Sequence, residues 1–161
     1  MLPFCGQDRC VIDANGRIKL SPRLIGDFAR QCNGEVVLYC LPEGAIAIYP
    51  EAVFVEMREA SARSLSDVGT SLIRRRELRR FGAMTLPDRI TQQGRLTIPT
   101  GFRDFTALQP GTEAFVVGVE IGAEIWNAER WKREMDIVNG HLEQKGLEEM
   151  AADLRNTGNL Q

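Results

Sequence analysis

The chain has 161 residues, of which 43% are hydrophobic, and this content is enough for a folded core and argues against intrinsic disorder. Apolar runs such as residues 36–41 are far shorter than the roughly 18–20 residues that cross a bilayer, and no basic stretch followed by an apolar one opens the sequence. We therefore predict a cytoplasmic protein with no membrane partner. The net charge of −2 is uneven, because residues 58–103 carry 10 basic and 4 acidic groups, a net +6.

The first half of the chain reads as strand, tight turn, strand, short helix, two strands and helix. Asn15-Gly16 places glycine where a tight hairpin needs positive φ, and the residues after it alternate between apolar and polar, as in a half-buried strand. Leu24 and Phe28 lie four residues apart, on one face of the predicted short helix. Further strands are predicted at 36–40 and 45–49, and helices from residue 50 and over 67–81.

The same order of elements returns after about 78 residues, which indicates an internal repeat. Residues 12–21 align with 90–99 at an offset of 78, and Tyr49 aligns with Trp126 at an offset of 77. The offset between the repeats thus falls by one residue along the chain, which is what a deletion of one loop residue produces. We predict a first repeat with a linker helix at 4–83, a second repeat with C-terminal helices at 84–154, and a flexible tail at 155–161.

One repeat with four short strands is too small to close a core by itself. Two repeats can close a common core if their hairpins interleave, which also covers the sheet edges. The inward faces are predicted to include Met57, and Phe105 beside Phe102. The larger aromatic side chains are assigned to the core rather than to base stacking: Tyr49, Phe54, Phe102, Phe115, Trp126 and Trp131.

Four cysteines lie in the first quarter of the chain, at Cys5, Cys10, Cys32 and Cys40. No pair has the C-x-x-C spacing that metal sites favour, and a chain without an export signal usually keeps its thiols reduced. We interpret them as structural cysteines, in preference to zinc or redox chemistry, and predict no cofactor.

The repeated turns resemble those of the MraZ family, regulators of the division and cell-wall gene cluster. The second copy, G-R-L-T-I-P-x-x-F-R at residues 94–103, is similar to that family's G-R-x-x-I-P-x-x-[FL]-R pattern, and E-I-W-N-x-x-x-W at 124–131 is similar to its ending. The resemblance implies an α+β fold in which two AbrB-like β-hairpin/helix repeats interleave as a swapped-hairpin β-barrel with flanking helices. It also implies a nucleoid-associated transcriptional regulator, with repression as the expected mode, that forms ring-like homo-oligomers on short tandem repeats of double-stranded DNA.

In that family the Gly-Arg turns face the DNA, which points to Arg17 and Arg95 in this chain. An arginine at a turn tip can bind guanine or phosphate through two parallel hydrogen bonds. The predicted DNA-binding set adds their neighbours and a helix residue: Asn15, Gly16, Lys19, Gln93, Gly94 and Arg103. The chain departs from the family pattern with Thr91 in place of Asp and with Ile25 in place of a second Arg.

Two functions stay open at this point. The first is a sequence-specific DNA-binding regulator, and the alternative is an oligomeric assembly or interaction protein of the same fold with weak or no DNA binding. The arginine-rich run at residues 74–80 is either a second phosphate-contacting surface or a solvated helix face. We predict no enzyme and no small-molecule substrate, because no nucleophile, phosphate-loop or dinucleotide motif is present.

Overall fold

The computed structural model of the chain describes residues 2–61 and 67–158. Each repeat runs strand, strand, helix, strand, strand, helix, and one helix joins the two repeats, as the sequence predicts. The strands are β1 Gln7–Val11, β2 Arg17–Lys19, β3 Glu35–Cys40, β4 Ile46–Pro50, β5 Thr85–Arg89, β6 Arg95–Thr97, β7 Glu113–Gly118 and β8 Ala123–Asn127. The helices are α1 Pro22–Cys32, α2 Glu51–Ala60, α3 Leu72–Ala83, α4 Thr100–Thr106 and α5 Ala128–Gly158.

The two repeats interleave, which confirms the predicted α+β architecture. Six strands form an antiparallel sheet in the order β1-β7-β8-β4-β3-β5, so that each end strand comes from the repeat opposite to its neighbour. The remaining strands, β2 and β6, pair across the repeats as a two-stranded ribbon. In the described residues the larger sheet ends at β1 and β5, so hydrogen bonding does not close the predicted barrel.

The strand pairing follows an approximate two-fold symmetry between the repeats. Gln7 faces Val117, and Tyr39 faces Thr85. Thr85 is the residue 78 positions after Gln7, and Tyr39 is the residue 78 positions before Val117, so the two pairs are equivalent under exchange of the repeats. The one-residue slip lies in the connection of the third and fourth strands, because β7 follows β3 by 78 residues and β8 follows β4 by 77. The one-residue difference between the repeats therefore lies in a loop, as the sequence predicts.

The glycine turns form as predicted, but the strands that flank them do not pair with each other. Gly16 and Gly94 have φ angles of 73° and 77°, and the Gly16 amide donates to the Asp13 carbonyl across 3.0 Å. Beyond the turn, β1 pairs with β7 and β2 pairs with β6. The simple hairpin expected from Asn15-Gly16 was wrong, since both strands exchange into the other repeat.

The core lies between the sheet, the ribbon and the short helices α1 and α4. Leu24 and Phe28 are buried, as expected. Phe105 is 42% exposed and Met57 is 40% exposed, so their predicted inward positions were wrong. Of the aromatic side chains assigned to the core, Tyr49, Phe102 and Trp126 are buried, while Phe54 and Phe115 are half-buried.

Of the described residues, those from 128 to 158 form a separate unit. Its helix α5 is continuous for 31 residues, about 46 Å at 1.5 Å per residue, where the sequence predicted two helices. Residues 155–158 of the predicted tail continue this helix, and residues 159–161 lie outside the described residues. Among the described helices, none is long and apolar enough to span a bilayer.

Candidate nucleic-acid interface

The ribbon of β2 and β6 brings predicted residues from both repeats onto one exposed face. Ile18 and Leu96 occupy the middle of the two strands and are buried. Because side chains alternate along a strand, the residues on either side of them face outward. These outward residues are Arg17, Lys19, Arg95 and Thr97. The ribbon face therefore carries three cationic side chains and no acidic one.

Lys19 lies directly opposite Arg95 in the ribbon. The amide of Leu20 donates to the Gly94 carbonyl, and its symmetry mate at Ile98 donates to Gly16, each across 2.8 Å. This pattern makes the Lys19 and Arg95 positions a non-hydrogen-bonded pair, in which the Cβ atoms are about 4.5–5.5 Å apart. Like charges at that spacing repel each other, so the ribbon favours an anionic partner.

The two turns lie at opposite ends of the ribbon, because its strands are antiparallel and each strand follows its own turn. Gly16 stands beside Ile98, and Gly94 stands beside Leu20, so the two turns are about 13 Å apart along the ribbon at 3.3 Å per residue. That span is close to the roughly 12 Å width of the DNA major groove.

Asp13 organises the first turn. Its Oδ1 accepts the backbone amides of Asn15 and Arg17, each at 2.9 Å, and its Oδ2 accepts Nε of Arg17 at 3.0 Å. The hydrogen bond from the Arg17 amide is the largest of the causes that hold the pKa of Asp13 below its usual value. Arg17 is half-buried, and its guanidinium is oriented by this carboxylate.

The second turn has a hydroxyl in place of the carboxylate. Oγ1 of Thr91 accepts the Arg95 amide at 3.0 Å, which closes the turn without a negative charge. The Arg95 side chain is exposed, and within residues 2–61 and 67–158 it has no hydrogen bond or ion pair. The two turn arginines therefore differ, since Arg17 is held in place and Arg95 is free to reach a partner.

A helix residue of the opposite repeat lies behind each glycine turn. Arg103 of α4 donates Nε to the Ile98 carbonyl at 2.8 Å and Nη2 to the Asn15 carbonyl at 3.3 Å. A Cβ atom on Gly16 would collide with the Arg103 guanidinium. At the second turn, a Cβ atom on Gly94 would collide in the same way with Ile25 of α1.

These contacts give Arg103 a role that sequence reasoning missed, because its side chain positions the first turn. Asn15 and Gln93 are exposed at the turn tips. The signal that identifies Arg103 is the 78-residue offset itself, which aligns it with Ile25. Each of the two residues then lies behind the turn of the other repeat.

The arginine-rich helix α3 is only partly a free basic surface. Arg74 pairs with an acidic residue three positions later at 3.3 Å, Arg75 donates to loop carbonyls, and Arg80 donates to a β3 carbonyl at 2.8 Å. Arg76 and Arg79 are exposed. The run is therefore divided between structural arginines and a solvated face.

All four cysteines are free thiols. Cys40 is buried and the other three are half-buried. Burial, and then the negative charge of Asp8, raise the pKa of Cys10 to about 11, and burial also raises the pKa of Cys32 and Cys40. Across the described part of the chain, no group of three His, Cys, Asp or Glu residues could hold a metal ion.

Two interleaved β/α repeats that join their turns in a basic ribbon define a two-repeat α+β protein with a candidate nucleic-acid interface. No protein-family model matches the chain. It is 30% identical over 130 residues to the transcriptional regulator MraZ of Cutibacterium acnes, which covers 81% of this chain and 85% of the relative. The chain belongs to the MraZ family.

Two further relatives carry the same name. The transcriptional regulator MraZ of Thermomicrobium roseum is 29% identical over 136 residues, 84% of this chain and 89% of that protein. The one from Caldicellulosiruptor saccharolyticus is 41% identical over 66 residues, 41% of this chain and 45% of that protein. These relatives are named as regulators, which fits the prediction that the chain is not an enzyme.

Proposed function

We propose that the chain is a DNA-binding transcriptional regulator that contacts double-stranded DNA through the β2–β6 ribbon and its two Gly-Arg turns. The observation that carries this proposal is the outward face of the ribbon, where Lys19 opposes Arg95 and Arg17 lies on the same face. A two-stranded ribbon fits the major groove. Phosphate groups would relieve the repulsion between the facing cations.

The residues take different roles in this proposal. Arg95 contacts a base edge or a phosphate, since its side chain is exposed. Arg17 presents an oriented guanidinium, because Asp13 holds it, and Lys19 contacts phosphate. Arg103 positions the first turn and does not itself reach DNA.

The remaining turn residues of the predicted set also have a place. The amides of Asn15 and Gln93 lie at the exposed tips, where an amide can pair with adenine. Gly16 and Gly94 let the backbone take the positive φ angles that the turns need.

We further propose that several copies of the chain bind together on short tandem repeats, as a ring-like homo-oligomer that represses transcription in the nucleoid. One ribbon has only three residues in each strand, which is a small contact for specific binding. Several ribbons on consecutive repeats would gain affinity through their high effective concentration.

The test is a fluorescence-anisotropy titration of the protein against its own upstream DNA, with one repeat or several. A good base contact contributes about 1–3 kcal/mol, so Arg95→Ala should weaken binding to one repeat about 5- to 150-fold and weaken binding to several repeats more. Arg76→Ala removes the same charge from an exposed position of α3 and should leave affinity nearly unchanged. Equal affinities for Arg95→Ala and the parent would refute the assignment.

The second candidate, an assembly protein with weak DNA binding, is favoured by α5. Leu147, Met150 and Leu154 are each more than half exposed on this helix, and exposed apolar patches mark interaction surfaces. Because both functions involve an oligomer, light scattering must be combined with the DNA titration to separate them. A stable oligomer whose DNA affinity is low and indifferent to Arg17→Ala and Arg95→Ala would establish assembly as the function.

A further inference from the structure

An arginine-lined cavity of about 330 Å³ lies beside α2, α3 and β3, apart from the ribbon residues. Its lining includes the guanidinium-bearing residues Arg58, Arg74 and Arg80 together with the aromatic rings of Tyr39 and Phe81. Among the described lining residues, three are arginines and one, Glu77, is acidic. A cavity of this size falls within the roughly 300–1,000 Å³ of small-molecule sites.

Two of the three arginines are fixed by the surrounding protein. Arg80 donates Nη2 to the Cys40 carbonyl at 2.8 Å and Nη1 to the Tyr39 hydroxyl at 3.5 Å. Arg58 lies over the ring of Phe81, with its Cζ 3.5 Å from the ring centroid. Phe81 in turn contacts Tyr39, with ring centroids 5.2 Å apart. The aromatic rings thus hold the Arg58 guanidinium through its face and leave its edge free for hydrogen bonds.

The cavity has more hydrogen-bond donors than acceptors. Each guanidinium carries five N–H donors and no acceptor. The Arg74 side chain is only 13% exposed, and Nη1 donates to Glu77 at 3.3 Å. Its Nε is buried, and no acceptor for it lies among the described residues. Among the described residues, the Arg58 side chain has no hydrogen bond or ion pair. Buried N–H groups of a charged residue are costly to leave unpaired, so the cavity favours an anion with several acceptor oxygens.

We propose that this cavity binds the phosphate group of a small phosphorylated ligand. A phosphate offers three or more acceptor oxygens, and arginine binds it through two parallel hydrogen bonds. Arg58 and Arg74 supply the free donors, while Arg80 adds charge from its fixed position. Two of these arginines lie on α3, the helix that joins the two repeats, so the site is additional to the ribbon.

Isothermal titration of the full chain with inorganic pyrophosphate, at constant ionic strength, tests the proposal. The parent should bind pyrophosphate in a saturable manner, and its melting temperature should rise with pyrophosphate concentration. Arg58→Gln and Arg74→Gln should each weaken binding at least tenfold. The matched control is the double variant Arg76→Gln, Arg79→Gln, which removes more charge from the exposed positions of α3 and should bind like the parent.

Conservative variants keep the test decisive if a glutamine variant melts early. Arg58→Lys and Arg74→Lys retain the charge but lose the planar fork, so they should fold like the parent and still bind pyrophosphate more weakly. The absence of saturable binding by the parent would overturn the proposal. Equal weakening in the Arg76→Gln, Arg79→Gln control would also overturn it, because binding would then follow net charge and not the cavity.

DNA titrations of the same variants distinguish the two sources of phosphate. If Arg58→Gln weakens pyrophosphate binding and leaves DNA affinity unchanged, the ligand is a soluble phosphorylated molecule, as proposed. If Arg58→Gln weakens DNA binding and the parent shows no saturable pyrophosphate binding, the cavity holds a DNA phosphate and the small-ligand proposal is overturned. Arg95→Ala should retain pyrophosphate binding, so a failure of the ribbon assignment stays separate from a failure at this cavity.

Discussion

Gly16→Ala is the substitution that most directly tests how the first turn is built. Gly16 has a φ of +73°, and a methyl group there would collide with the guanidinium of Arg103. Gly111→Ala is the matched control. Gly111 has a φ of +89°, with nothing within 4 Å of a Cβ atom built on it. The control therefore measures the conformational cost alone, and Gly16→Ala adds the displacement of Arg103.

The magnitudes follow from these two contributions. A non-glycine residue at positive φ costs about 1–2 kcal/mol, which is the expected loss for Gly111→Ala. Arg103 can swing away from a new methyl group, so the additional loss at Gly16 is limited to its two hydrogen bonds to the Ile98 and Asn15 carbonyls. One of these bonds is only part-buried and the other is exposed, so we expect the pair together to contribute about 2 kcal/mol, within the roughly 1.5–3 kcal/mol range for one well-buried hydrogen bond from a charged group. Gly16→Ala should therefore lower the free energy of unfolding by about 3–4 kcal/mol.

A double-mutant cycle isolates the contact between turn and helix. In an Arg103→Ala background, Gly16→Ala should cost only the conformational 1–2 kcal/mol, so the two changes should couple by about 2 kcal/mol. Urea unfolding followed by circular dichroism measures all four proteins, with unchanged m-values as the check on two-state behaviour. The reasoning is refuted if Gly16→Ala and Gly111→Ala lose the same stability, or if the coupling is zero.

Three further outcomes are expected. The logarithm of DNA affinity should fall linearly with the logarithm of salt concentration. Arg95→Ala should make this slope shallower by about 0.9 for each phosphate group that the variant no longer neutralises. An unchanged slope argues against phosphate binding by Arg95. Folding lowers the pKa of Asp13 below its ordinary value of 3.8. The ionised Asp13 carboxylate therefore stabilises the fold above pH 3.8, and this stabilisation is lost as pH falls through the pKa of Asp13 in the folded protein. The parent should thus be more stable than Asp13→Asn in urea at pH 7, and equal stability there contradicts this role. Because the pKa of Cys10 is raised to about 11, only about one thousandth of the Cys10 side chains are thiolate at pH 8. Mass spectrometry after iodoacetamide treatment should therefore find Cys10 labelled far more slowly than free cysteine. Labelling at the rate of free cysteine contradicts the raised pKa.

Local chemistry predicts the elements of this fold well. Glycine in Asn15-Gly16 and Gln93-Gly94 marks turns whose positive φ angles are present, and the paired offsets of 78 and 77 predict the element order of both repeats. The need to close a core from two small halves correctly predicts interleaving. Each of these inferences depends on the conformational preferences of one residue or on a repeat within the sequence.

Pairing between distant segments is the part that the sequence leaves open. Arg103 reaches a carbonyl 88 residues away in the chain, and no local pattern encodes that contact. For the same reason the sequence does not reveal that β1 pairs with β7 instead of forming a hairpin with β2, because that pairing depends on the whole sheet. The arginines of α3 are a third example. Helical spacing groups them on one side of the helix, but it does not reveal that a β3 carbonyl accepts a hydrogen bond from Arg80. Phe105 is exposed because the buried residues of the seven-residue helix α4 are Phe102 and Thr106.

The palindromic strand order has a consequence for the direction in which a bound duplex is read. A half-length chain could build this sheet only as a homodimer, and its two turns would then be identical and would suit inverted sequences. Joining the halves in one chain has let the turns diverge, with Asp13 and Arg103 at one turn and Thr91 and Ile25 at the other. The two ends of such a ribbon are different, so neighbouring copies can all bind in the same orientation along a DNA strand.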